Sequence, residues 1–207
     1  TVEEAMNIAG NMGIPAQNAI LVDKEGNAGW TIFGKIPRRP MGDYRRIYNW
    51  SDGLRAWDGW YPSNEYPKIL NPDNNRLWTA NARVLSGDDL AKVGVSRYDL
   101  GARAKQIRDR LSALEAPVNE MDLYNIMLDN EAIFLTRWQQ QLVGVLETAN
   151  DPAFETYLKD VKSWGGFADK NSVGFRLVRD YRDQVYEALF AKITAACVGY
   201  DAECNYD

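Results

Sequence analysis

Histidine is absent from all 207 residues. That one absence removes serine–histidine–aspartate and cysteine–histidine catalysis, histidine-ligated zinc and most imidazole acid–base schemes. Cysteine is scarce, and Cys197 and Cys204 are the whole supply. Two thiols are too few for a cysteine-built zinc site. Sequence leaves open whether they form one small disulfide or stay free, because it does not fix their geometry. No apolar run reaches the length of a membrane span. An excess of positive charge is lacking too: 24 Lys and Arg face 29 Asp and Glu, for a net charge of −5. That balance argues against a general nucleic-acid partner, which favours a basic face. No signal peptide is visible at Thr1-Val2-Glu3-Glu4. In a piece of a longer chain, that absence carries no information about export.

What is present is ordinary for a soluble protein, with 45% hydrophobic and 26% charged residues. The length suffices for one large domain or two small ones with a real core. Thr1 and Glu4 have capping-box spacing, and Ala5, Met6, Ile8, Ala9 and Met12 follow at helical intervals. Gly13-Ile14-Pro15 ends that helix. Ala19–Asp23 reads as a strand, Lys24–Asn27 as a turn and Ala28–Gly34 as the returning strand.

The character changes from Lys35 to Asn75. Prolines stand at 37, 40, 62, 67 and 72, among Tyr44, Tyr48, Trp50, Trp57, Trp60, Tyr61 and Tyr66. This stretch is too apolar for a free linker and too broken for regular elements. It reads as a long ordered loop wrapping a core surface. Arg76–Leu85 alternates like a strand. Beyond Ser86 the pattern is helical, with candidates at Tyr98–Leu114, Glu120–Leu128, Glu131–Ala149, Phe154–Trp164 and Phe175–Val198. The chain thus has a β-containing part over residues 1–96 and a mainly helical part over 97–207. The fold class is α+β.

Three motifs carry a family resemblance. The first is the hairpin with its approach and exit: Gly13-Ile14-Pro15-Ala16-Gln17-Asn18, the strand to Asp23, Gly26-Asn27-Ala28-Gly29-Trp30, and Gly34-Lys35-Ile36-Pro37-Arg38-Arg39. The second is Leu77-Trp78-Thr79-Ala80-Asn81, and the third is Tyr98-Asp99-Leu100-Gly101-Ala102-Arg103-Ala104-Lys105-Gln106-Ile107. Their order, and the interval from Asn81 to Arg103, resemble the penicillin amidase family, which includes penicillin acylases and acyl-homoserine lactone acylases. The resemblance covers most of the chain and weakens after Leu114.

The resemblance implies an internal piece of the family's large subunit, part of an N-terminal-nucleophile hydrolase αββα sandwich. The expected activity of the parent is cleavage of an N-acyl amide, of the penicillin side-chain or acyl-homoserine lactone type, through an acyl-enzyme. The nucleophile would lie upstream, so this stretch alone is expected to be inactive. The expected partners are a small-molecule acyl amide and the small (alpha) subunit of the same precursor, in the periplasm, with no nucleic acid. Such a nucleophile uses its own α-amine as base, which fits a chain without histidine; an amine has an ordinary pKa of about 8.

Asn81 would be the oxyanion donor. A neutral amide can meet developing negative charge without trapping it as an ion pair, and one such donor is worth roughly 3 kcal/mol in the transition state. Without the resemblance, Asn81 reads as a strand-end asparagine satisfying nearby backbone. Arg103 either orients Asn81 or substrate with its planar fork, or is a first-turn arginine in a surface ion pair. Thr1 could be mistaken for the nucleophile, but it reads as a helix cap. Gly26, Asn27 and Gly29 serve backbone geometry. Arg38, Arg39, Arg45 and Arg46 beside aromatics read as loop packing rather than a single-strand platform. The family often binds calcium. Lys92 stands where one carboxylate ligand would fall, with Asp88 and Asp89 nearby, so no cofactor or metal is expected on this piece. A second class stays open: a non-catalytic binding or structural module whose aromatic loop 44–66 takes a ligand or partner chain.

Overall fold

The computed structural model describes residues 1–39, 49–53, 56–94 and 98–199. Tyr44, Arg45, Arg46, Tyr48 and Cys204 lie outside them. The chain divides into two compact units, Thr1–Val118 and Asn119–Asp207.

The first unit opens with α1 (Val2–Asn7). Thr1 caps it through a capping box: Glu4 N donates to Thr1 Oγ1, and the Glu4 side chain returns to the Thr1 backbone. β1 (Gln17–Val22) and β2 (Ala28–Phe33) pair antiparallel, with Val22 opposite Ala28. β3 (Lys68–Leu70) adds to the other edge of β2, placing Trp30 opposite Ile69. The sheet order is therefore β1-β2-β3. Only β2 is central, and only β2 is buried along most of its length. Trp30, Ile32, Ile36, Tyr66 and Ala9 form this unit's core.

Close approach of α1 to the sheet depends on Gly29. A Cβ there would collide with Met6 Cε, lie 2.8 Å from Val2 Cγ1 and press on the Ile69 carbonyl at 3.1 Å. Val2 and Met6 are the buried residues of α1. The missing side chain thus lets the helix seat its apolar face on β2.

The expected strand at Arg76–Leu85 does not form. Alternation alone makes no strand; a ladder partner must satisfy its N–H and C=O groups. Here the segment makes a single parallel bridge, Ala82 with Asp99. The alternation also breaks: Val84 is exposed, while its neighbour Leu85 packs against the core. Two short elements were not legible in the pattern, β3 and helix α2 (Gly87–Val93). The loop from Lys35 onward is ordered where it is described. Arg38 N donates to Gly59 O and Tyr61 N to Ile36 O, both at 2.9 Å. Tyr66 is buried, and its hydroxyl donates to Gly34 O at 2.8 Å while accepting from Ile36 N. Trp50, Trp57 and Trp60, by contrast, are about half exposed rather than packed on the core. Helix α3 (Ala102–Ala113) completes this unit.

The second unit is helical. It contains α4 (Glu120–Met127), α5 (Thr136–Ala149), α6 (Glu155–Lys162) and α7 (Val173–Val198). Leu135, Leu142, Leu146, Val161, Trp164 and Val178 form its core. Gln139 ties α5 to the end of α6 by donating to Val161 O at 2.8 Å and Trp164 O at 3.2 Å. Cys197, near the end of α7, is disulfide-bonded. Among the described residues, no helix is long and apolar enough to cross a membrane. Strands lead and helices follow, so the class is α+β.

Candidate functional site

Asn81 lies on the irregular stretch that follows β3, and Arg103 in the first turn of α3. Arg103 Nη2 donates to Asn81 Oδ1 at 2.9 Å. The two residues selected by the motifs therefore touch across 22 positions of chain.

This bond fixes which way the amide faces. A guanidinium has donors and no acceptor, so only the amide oxygen can lie against it. The Nδ2 group then points away from Arg103, with its two N–H donors free of that contact. The backbone of Asn81 is held as well: Asp99 N donates to Asn81 O at 3.0 Å. Asp99 also reaches Arg103, whose Nη2 lies 2.6 Å from Asp99 Oδ2. Asn81, Asp99 and Arg103 thus form one connected group. Both charged side chains of this group are more than half exposed. Asp99 is not among the expected site residues, although an acid four residues ahead of an arginine at a helix start is a readable pairing signal.

A cavity of about 500 Å³ opens between the β2–β3 side and the stretch bearing Asn81, lined by Trp30, Ile69, Trp78, Arg83 and Leu85 among others. Arg76 pins the start of that stretch by donating from Nε to Leu111 O at 3.2 Å, near the end of α3. A cation at the carbonyl end of a helix is favourably placed. The whole stretch is thereby strung between the two ends of α3, at Leu111 and at Arg103.

The other sequence candidates sit elsewhere. Thr1 is the cap of α1. Asn27 belongs to the β1–β2 turn, where its side chain donates to Asp23. Arg38 pairs with Asp58 at 3.4 Å, and Arg39 donates to Pro37 O and Lys92 O. Lys92 Nζ donates to Glu65 O at 3.1 Å and faces Asp89 at 3.7 Å. An ammonium donates and cannot ligate a cation, so this position does not fit a calcium ion. No group of three acidic or sulfur side chains gathers among the described residues.

The fold matches part of a solved penicillin acylase. A thermostable penicillin G acylase from Alcaligenes faecalis superposes with a TM-score of 0.52 at 18% identity, covering 82% of this chain and 30% of that one. At that identity the likeness concerns the fold alone. The penicillin amidase family model matches residues 1–203, and the chain belongs to that family. Two curated relatives agree. Penicillin acylase 2 proenzyme from Pseudomonas sp. (strain SE83) is 28% identical over 117 residues, covering 56% of this chain and 15% of the relative. Acyl-homoserine lactone acylase PvdQ from Pseudomonas syringae pv. tomato (strain ATCC BAA-871 / DC3000) is 29% identical over 196 residues, covering 79% of this chain and 25% of the relative. The chain spans a quarter or less of the length of these relatives. The family is one of amide hydrolases.

Proposed function

We propose that this chain supplies the oxyanion-stabilising wall of an enzyme that hydrolyses N-acyl amides through an acyl-enzyme. The observation that carries the reading is the Arg103–Asn81 bond at 2.9 Å. By occupying the amide oxygen, it leaves the Nδ2 donors of Asn81 facing outward. When a nucleophile adds to an acyl carbonyl, negative charge grows on the carbonyl oxygen. A neutral donor already aimed at that oxygen stabilises the transition state more than the ground state. Arg103 supports this by holding the donor rather than by meeting the charge itself.

The attacking group is supplied by chain outside these residues, together with a second subunit cut from the same precursor. Penicillin side chains and acyl-homoserine lactones are the substrate types the relatives' names suggest. Export to the periplasm accompanies this reading. Replacing Asn81 by Ala in the whole protein is the test. Turnover of acyl amides should fall by about 10²–10³ in kcat. Turnover at the wild-type rate would remove Asn81 from the mechanism.

A further inference from the structure

We infer that Asp99 is a positioning residue of this site, holding Asn81 at its backbone and, through Arg103, at its side chain. The inference rests on the reading of Asn81 as the oxyanion donor. Asp99 bonds in two directions at once. Its backbone N–H donates to Asn81 O at 3.0 Å, and its carboxylate accepts from Arg103 Nη2 at 2.6 Å. The same Nη2 donates to Asn81 Oδ1 at 2.9 Å. One Nη2 carries two hydrogens, so it serves both acceptors without conflict. The three residues close a ring of hydrogen bonds around Asn81.

This ring matters because the stretch bearing Asn81 is held at its ends, by Arg76 on Leu111 O and by Leu77 and Leu85 against the core, and has no strand ladder in between. It belongs to no strand, and its one bridge pairs Ala82 with Asp99 itself. An amide side chain on such a stretch can turn about its own bonds. Arg103 alone does not prevent this, since an exposed arginine has many rotamers of its own. The Asp99 carboxylate narrows them by anchoring the guanidinium against the backbone that already holds Asn81. Donor placement within about 0.5 Å is what such sites require. A plainer role competes with this one. Asp99 lies three residues ahead of α3, and a negative charge there favours the helix N-terminus. That role predicts a change in stability with no effect on turnover.

Kinetics of the whole protein on a chromogenic acyl anilide separate the two. Asp99→Asn keeps size and shape and removes the charge; Asp99→Ser is a second variant should the first not accumulate. Asp99→Asn should lower kcat by about 10-fold with KM within twofold, because the donor is misplaced only where transition-state charge develops. In the double variant Asp99→Asn/Arg103→Lys, kcat should be no lower than in Arg103→Lys alone, because both act through one amide. Unchanged kcat in Asp99→Asn, or losses that multiply in the double variant, would overturn the inference while leaving the proposed function standing if Asn81→Ala is impaired. No wild-type turnover, or full turnover in Asn81→Ala, would overturn both.

Discussion

Asp23 sits at the end of β1 and accepts from the backbone N–H groups of Val2, Glu25 and Asn27, as well as from the Asn27 amide. These bonds favour its charged form. The Val2 N–H is the strongest influence, and together the bonds hold the carboxyl below its ordinary range. The folded chain therefore binds a proton at Asp23 less readily than the unfolded chain. Its contribution to stability is complete above the ordinary carboxylate range and is lost as pH falls through the lowered folded value. Asp23→Ala should lower the melting temperature by several degrees near neutral pH. The difference from wild type should shrink steadily in acid. A difference that stays constant with pH would show that Asp23 acts by packing alone. Asn71 reinforces the same corner with a left-handed backbone (φ 46°), donating to Asn27 and accepting from Ala28 N. At the site, Arg103→Lys removes the planar fork that shares one nitrogen between Asn81 and Asp99. We expect a loss in kcat of about 10-fold, smaller than that of Asn81→Ala, because the donor itself remains.

Elements differ in how openly they stand in the sequence. The longer helices are nearly closed systems: each satisfies most of its own backbone, so periodicity and caps locate them, although α5 starts at Thr136 rather than Glu131 and the seven-residue α2 carries too little pattern to register. Glu120–Met127 is one example, where Asn119 and Asp122 form a capping box at the expected start. The β1–β2 hairpin is nearly as local, since a short turn joins its strands. Residues 76–85 show the limit of this kind of reading. Their alternation is genuine, but a strand exists only with a partner beside it, and sequence does not state the partner. β3 is hidden for the related reason that three residues after Pro67 carry too little pattern to register. The site divides in the same way. Asn81 and Arg103 are nameable from motifs, whereas the part played by Asp99 depends on a backbone bond that no spacing reveals. Helix contacts also lead to a stability prediction at Gly174. A Cβ there would lie 2.5 Å from Trp164 Cβ and 2.8 Å from Asp160 O. Gly174→Ala should therefore cost about 1–3 kcal/mol by overpacking α7 against the end of α6, read as a lower denaturant midpoint. A neutral result would mean that α7 can slide on α6.

At the scale of the whole molecule, each unit has its own core. The buried cluster of the second unit is drawn wholly from residues 135–178, and the residues packed around it extend only to Ala132 and Tyr181. No residue of α7 beyond Val178 is among its buried ones, and Leu189 and Ile193 are about two-thirds exposed. Residues 119–207 expressed alone should therefore fold into a helical unit with cooperative unfolding, since the contacts that order α5, α6 and α7 lie within that span. The core sets the cost of disruption: Leu142, only 3% exposed, should lose about 2–5 kcal/mol on replacement by Ala. Backbone amide exchange should follow the same map. Protection along α7 should be highest around Val178 and fall toward Val198, since among the described residues the buried positions of α7 are Gly174 and Val178. Uniform protection along α7 would show that its exposed half is ordered by contacts other than the core. Gradual melting of the isolated unit would show that this cluster alone is too small to hold three helices together.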